Sequence, residues 1–114
     1  MNDCLFCKII ERKLPSKIVF EDEKLVAFED VNPQAPVHIL LVPRRHIESV
    51  NGVQETDREL MGHLFWISRK LAEERGVAAS GFRLVVNSGT SAGQSVFHIH
   101  VHLLGGRAFG WPPG

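Results

Sequence analysis

The segment Phe97-His98-Ile99-His100-Val101-His102-Leu103-Leu104 restricts the folds open to this chain more than any other stretch. Its imidazoles alternate strictly with apolar side chains, and a period of two belongs to a β-strand with two unlike faces. His98, His100 and His102 line one face. Phe97, Ile99, Val101 and Leu103 line the other and predict a core beneath it. At roughly 3.3 Å per residue the outer histidines stand about 13 Å apart and neighbours about 6.6 Å. A plain core strand has no use for three imidazoles, each needing hydrogen-bond partners once buried. The histidine face is a candidate site.

The rest of the chain predicts the platform. Cys4 to Glu11 carries Leu5, Phe6, Ile9 and Ile10 at helical spacing, with Asp3 as N-cap and Pro15 beyond its end. Lys17 to Glu21 and Leu25 to Glu29 flank Asp22-Glu23-Lys24 as a hairpin. Pro33 and Pro36 exclude a regular element before the strand Val37 to Val42, whose one polar residue, His38, shares a face with Leu40 and Val42. Thr56 and Glu59 form a T-x-x-E capping box for a long helix; Leu60, Leu64, Ile67 and Leu71 make its stripe, and Gly76 ends it. His63 and Trp66 lie off the centre of that stripe. Phe82 to Asn87 predicts a strand paired with the histidine strand through the glycine-rich loop Ser88 to Ser95. The expected fold is α+β, with about five mostly antiparallel strands, one long helix and one short one.

At 114 residues the chain predicts a single domain over 1–114, with an N-terminal helix and C-x-x-C at 3–12 and a docking tail at 105–114. The tail is too rich in Gly and Pro for a regular element, so Phe109 and Trp111 should dock on something. Thirteen basic residues balance thirteen acidic ones, which argues against nucleic acid or a membrane surface as partner and makes any phosphate recognition local. Arg44 and Arg45 read as a solvated turn. No apolar run approaches the ~18 residues of a membrane span and no secretory core opens the chain, so a cytoplasmic protein is expected. Cys4 and Cys7, spaced C-x-x-C, suggest metal or redox use rather than a structural disulfide.

Two chemistries suit aligned imidazoles. H-x-H on a strand can give two ligands to zinc, although one ion cannot take all three from a strand this long. Alternatively, a neutral ring nitrogen can attack phosphorus, provided the other nitrogen is held by an acceptor and nearby donors meet the phosphoryl oxygens. His100, with an imidazole on each side, is the best-placed nucleophile. The adjoining loop supplies close backbone approach at Gly93 and donors at Gln94 and Ser95.

His98-Ile99-His100-Val101-His102-Leu103-Leu104 matches H-φ-H-φ-H-φ-φ, with φ apolar, and resembles the motif of the histidine triad (HIT) family. The resemblance extends through Phe20-Glu21-Asp22, Phe28, Asp30, Pro33-Gln34-Ala35-Pro36, Pro43 to His46, Asn87 and Gly93-Gln94-Ser95. The ending Leu104-Gly105-Gly106-Arg107 with Trp111-Pro112-Pro113-Gly114 is similar to the Hint branch, the purine nucleoside phosphoramidases.

That resemblance implies a HIT-like fold, a homodimer with a continuous sheet, and hydrolysis of the P–N bond of purine nucleoside 5′-phosphoramidates through a nucleotidyl-histidine. It implies His100 as nucleophile, His102 and Gln94 at the α-phosphate, Ser95 at the leaving atom and His38 behind the triad. Asp30 would hold the ribose hydroxyls, while Leu5, Phe6, Ile9, Phe28, Val31 and Leu40 wall the purine. Asn87 and Gly93 would line the phosphate end, and Trp111 would reach the partner subunit. Cys4-Leu5-Phe6-Cys7 resembles bacterial members with a structural zinc, held there by Cys4, Cys7, His46 and His98 and not needed for the chemistry. A dinucleoside polyphosphate hydrolase and a regulatory nucleotide-binding module with incidental slow hydrolysis are the alternatives.

Overall fold

In the computed structural model, which describes residues 3–114, the alternating apolar runs become strands. These are β1 (Ile18–Glu21), β2 (Leu25–Glu29), β3 (Val37–Pro43), β4 (Phe82–Val85) and β5 (Val101–Gly105). Two helices accompany them, α1 (Leu5–Ile10) and α2 (Arg58–Glu74). The strands form one sheet in the order β1-β2-β3-β5-β4, every neighbouring pair antiparallel. This is the α+β architecture expected from the sequence. Among the described residues, no helix is long and apolar enough to cross a membrane.

Strand alternation divides the molecule into two faces. Ile39 and Leu41 of β3 join Leu25, Ala27, Val101 and Leu103 in a core closed by Leu64, Ile67, Leu71 and Ala72 of α2. Burying each such Leu or Ile side chain contributes about 1.5–3 kcal/mol. Leu40 and Val42 point the other way and meet Val26, Phe28 and the α1 residues Phe6 and Ile9. His38 is in phase with Leu40, so it lands on this second face. Register does the rest: Leu40 stands opposite His102 and His38 opposite Leu104. His38 and His102 are therefore diagonal neighbours, close enough for long or ring side chains to touch.

Local chemistry sets the element ends. Asp22 Oδ1 closes the β1–β2 turn by accepting from the Lys24 N–H at 2.8 Å and the Leu25 N–H at 2.9 Å. Gly76, at φ +74°, ends α2 as expected, its N–H bonded to Glu73 O at 3.1 Å. The start of α2 differs from the T-x-x-E expectation. A cap residue needs extended backbone, and Thr56 lies inside the turn Glu55–Asp57, whereas Gln54 is extended at φ −112°, ψ 169°. Asp57 therefore closes the box, accepting from the Gln54 N–H at 2.8 Å while paired with Arg45. Likewise Cys4, not Asp3, caps α1, its sulfur accepting from the Cys7 N–H at 3.4 Å.

Other segments also depart from expectation. Regular pairing in β4 stops at Val85, opposite His102, so the strand is two residues shorter than Phe82–Asn87. With no partner further along, β5 begins only at Val101. The Ile99 N–H instead bonds Ile47 O at 2.7 Å, so His98 and His100 are held by the segment that follows β3. Arg44 and Arg45 keep solvent exposure in the turn but are also tied down: Arg44 Nε donates to Asp22 O at 2.7 Å and pairs with Glu21 at 3.0 Å, and Arg45 pairs with Asp57. The tail docks through Phe109, which lies 5.1 Å from the Arg83 guanidinium and 4.3 Å from that of Arg107. Trp111 is 85% exposed.

Candidate functional site

Pairing β5 between β3 and β4 puts His102 beside His38 on the face that α2 does not cover, and the Ile99–Ile47 bond holds His100 and His98 in line with it. Burial disfavours the charged ring, so His38 and His100 titrate below the usual histidine range. Burial first, and neighbouring imidazoles with it, lower His98 and His102 to about 4. Neutral rings have one donor and one acceptor nitrogen, and the backbone decides which is which.

For His100, Nδ1 lies 2.7 Å from the His98 carbonyl, which can only accept. Nδ1 therefore carries the proton and Nε2 keeps its lone pair. For His38 the logic inverts. The Gln34 N–H can only donate, and it reaches His38 Nδ1 at 3.0 Å. His38 Nε2–H then donates to His102 Nδ1 at 2.9 Å, with Asp30 Oδ2 at 3.4 Å from the same nitrogen. His102 is left with its proton on Nε2. The pair thus presents a lone pair on His100 and an N–H on His102, with ring centroids 4.9 Å apart.

Both rings line a cavity of about 390 Å³, within the ~300–1,000 Å³ range of small-ligand pockets. Its apolar walls are Leu5, Phe6 and Ile9 of α1, Phe28 of β2 and Leu40 of β3. Phe6 stands edge-on to His100 at 4.9 Å and to Phe28 at 5.4 Å. Asp30, Val31 and Ser95 complete the mouth, and Val31 is 96% exposed there. Asp30 Oδ1 is occupied by the Asn32 N–H at 2.9 Å. An apolar slot, a carboxylate, an imidazole lone pair and an imidazole donor thus converge on one space.

A second constellation lies beside the first. Cys4, Cys7, His46 and His98 bring one ligand atom each within 4.8 Å of one another. His98 is 0% exposed and its Nε2 lies 2.7 Å from the Pro43 carbonyl, so Nε2–H donates and the Nδ1 lone pair faces the thiols. From His98 Nδ1 the separations are 3.4 Å to Cys4 Sγ, 3.5 Å to Cys7 Sγ and 3.2 Å to His46 Nδ1. Cys7 Sγ to His46 Nδ1 is 3.4 Å. A tetrahedral ion with Zn–N ~2.0–2.1 Å and Zn–S ~2.3 Å needs ligand separations of roughly 3.3–3.8 Å. The residues fit such an ion.

With this geometry in place, residues 11–109 match the HIT-domain family model. The chain belongs to the HIT-domain family. It is 48% identical over 113 residues to an uncharacterized HIT-like protein of Synechocystis, covering 99% of this chain and 98% of that one. It is 46% identical over 112 residues to a 14 kDa zinc-binding protein of Zea mays, covering 96% of this chain and 87% of that protein. Among solved structures, a HIT family hydrolase from Legionella pneumophila superposes with a TM-score of 0.97 at 47% identity, covering 98% of this chain and all of the other. These relationships establish the HIT-like fold and support hydrolase chemistry at the coarse level.

The HIT fold gathers most of the residues singled out in the sequence. The predicted base walls Leu5, Phe6, Ile9, Phe28, Val31 and Leu40 line the cavity with Asp30, Ser95, His100 and His102, and His38 lies directly behind. Asn87, Gly93 and Gln94 do not line it. Gln94 is buried and its carboxamide ties the loop together: Oε1 accepts from the Gly89 N–H at 2.8 Å, and Nε2 donates to Glu48 O at 2.7 Å. His63 is satisfied by Asp22 at 2.6 Å. Leu14, Pro15, Ser16, Glu29 and Val96 line the cavity without having been anticipated. The connector that carries the first three turns just after α1, where Arg12 has φ 60° and the Lys13 N–H bonds Lys8 O at 2.8 Å.

Proposed function

We propose that this HIT-domain chain hydrolyses purine nucleoside 5′-phosphoramidates through a covalent intermediate on His100. The observation that carries this reading is the His100 tautomer: the His98 carbonyl holds Nδ1–H and leaves the Nε2 lone pair in a cavity with an apolar slot. The purine occupies the slot between Phe6, Ile9, Phe28 and Leu40, and Asp30 accepts from the ribose diol.

His100 Nε2 attacks the α-phosphorus, forming an N–P bond as the bond to the amine breaks; the amine leaves with a proton drawn from solvent, which the attacking water of the next step returns. The positive charge arising on His100 is met by the His98 carbonyl through Nδ1–H. His102 Nε2–H, oriented by His38, donates to a phosphoryl oxygen, and Ser95 hydrogen-bonds the leaving nitrogen. Water then attacks phosphorus, releases the nucleoside monophosphate and restores neutral His100. Cys4, Cys7, His46 and His98 would hold structural zinc, which supplies a cross-link between α1, the segment after β3 and the triad run. No step requires it.

A second copy of the chain is the proposed partner. β4 is an edge strand, and beside it lies an apolar cavity of about 240 Å³ lined by Val50, Val53, Met61, Phe65 and Val86. Edge-to-edge pairing of β4 would continue the sheet and cover exposed Phe65 and Trp66. Light scattering giving twice the 12.8 kDa chain mass is the expected result. A reducing cytoplasm suits a site built on two thiols.

The test of the reaction is single-turnover mixing with adenosine 5′-phosphoramidate labelled in the nucleotide. Label should appear on His100, and diadenosine polyphosphates should turn over more slowly than the phosphoramidate. Normal turnover by His100→Ala would falsify the reading.

A further inference from the structure

The Cys/His cluster and the nucleotide cavity are built from the same few residues. α1 is only six residues long, too short to hold helical form without tertiary contacts. Its metal-type ligands Cys4 and Cys7 bracket Leu5 and Phe6, two walls of the cavity, and Ile9 follows one turn on. Position of the slot wall and position of the thiols are therefore one variable.

His98 makes a second connection. Its Nδ1 belongs to the cluster, its Nε2–H is tied to Pro43 O at 2.7 Å, and its own carbonyl receives His100 Nδ1–H at 2.7 Å. Whatever holds the His98 ring holds the acceptor that sets the tautomer of His100. A third connection is spatial: Leu5, Ser95 and Val96 line both this cavity and a neighbouring one of about 550 Å³ that opens onto Cys4 and His46.

The cluster has two energetic states. Two sulfurs and two imidazole nitrogens converge at 3.2–3.5 Å. With a cation between them the lone pairs are satisfied. Without one, the Cys4 and Cys7 thiols can donate S–H to His98 Nδ1 and His46 Nδ1 at 3.4 Å, weaker links that hold α1, the element with least structure of its own, less firmly.

We infer that metal binding at Cys4, Cys7, His46 and His98 is thermodynamically linked to nucleotide binding in the adjoining cavity, so that metal occupancy sets nucleotide affinity. The inference rests on the nucleotide reading given above. Linkage is reciprocal: if zinc tightens nucleotide binding by some factor, nucleotide tightens zinc binding by the same factor. His98 acts here as a positioning residue, through His100 and not on substrate.

Calorimetric titration of AMP into zinc-loaded and chelator-stripped protein tests this directly, with far-UV circular dichroism reporting whether the stripped chain keeps its sheet. Stripping should weaken AMP binding roughly tenfold, inside the 5–150-fold span of typical site-to-site couplings. Saturating AMP should tighten zinc by the same factor. His46→Ala supplies the second arm, because His46 lies outside the nucleotide cavity. In that variant, zinc should bind more weakly and AMP affinity should climb with added zinc to the wild-type value. If the stripped wild-type chain unfolds, the His46→Ala zinc series decides. AMP affinity independent of zinc in folded protein overturns the linkage. Failure of AMP to bind even zinc-loaded protein overturns the nucleotide reading itself.

Discussion

Two imidazole clusters sit side by side on this sheet, and they differ in where their lone pairs point. In the first, His46 Nδ1 and His98 Nδ1 converge with two sulfurs. In the second, Asp30, His38 and His102 are equally close, within 4.8 Å, yet the atoms form a line: Gln34 N–H to His38, His38 N–H to His102. A backbone donor at the head of that line decides the difference, because it consumes the His38 lone pair and turns every later proton outward. Pro43 O does the reverse for His98, consuming the proton and leaving the lone pair inside. Proximity alone does not distinguish a cage for a cation from a relay for a proton; the polarity of one main-chain group does.

The largest expected effect tests the division between them. His100→Ala should lower kcat for a phosphoramidate by roughly 10³-fold or more, as removal of a nucleophile does, while zinc content stays at that of wild type. Loss of zinc along with activity would break the separation. Next, His98→Ala should deplete zinc measured by elemental analysis and leave the buried Pro43 carbonyl without its partner, costing about 1–3 kcal/mol in denaturant unfolding. An unchanged midpoint would mean that the cluster holds nothing together.

His38→Ala should be milder. It removes the donor that orients His102, so kcat should fall about tenfold, the equivalent of one hydrogen bond, with zinc content unaffected. A variant that loses zinc would show the two clusters to be one. The smallest effect is in pH. Burial lowers the His100 pKa below its ordinary value, so its Nε2 is unprotonated at neutral pH. Accordingly kcat/KM should be level at neutral pH and fall as acid takes it down through that lowered pKa. Stability follows the same sign. His102 protonates near 6.5 when unfolded and near 4 when folded. Its contribution is complete above about 6.5 and is lost as pH falls from there to about 4. Thermal melts that are flat across this interval would contradict the burial of His102.

Much of the candidate site was legible because periodicity is a local property. Alternation assigns His38 to the face of Leu40 within β3, and His98, His100 and His102 to one face of the triad run. That the two faces meet was implied only by the family resemblance and is set by the pairing of β3 with β5. Spacing predicted the helix that carries Leu5, Phe6 and Ile9, but their part as slot walls came from the family resemblance and not from periodicity. Gln94 was not. As a polar residue in a glycine-rich loop it reads as a ligand donor, and only the folded loop shows its amide committed to Gly89 and Glu48. Leu14, Pro15 and Ser16 sit in an aperiodic connector, where spacing says nothing about direction. The capping box sits at Gln54, ahead of the turn Glu55–Asp57 that leads into α2, and not at Thr56, because capping depends on backbone angles that the residue types do not dictate.

The sequence by itself determined the sheet, the face that carries the imidazoles, and the residue types available for chemistry. Tertiary structure decided their individual states. Three equally spaced histidines became a cluster ligand, a lone-pair bearer and a proton donor because Pro43 and His98 present carbonyls to His98 and His100, while Gln34 gives an N–H to His38, which passes its own N–H to His102. Main-chain donors and acceptors have no signature in residue type, and their direction exists only once distant segments have met.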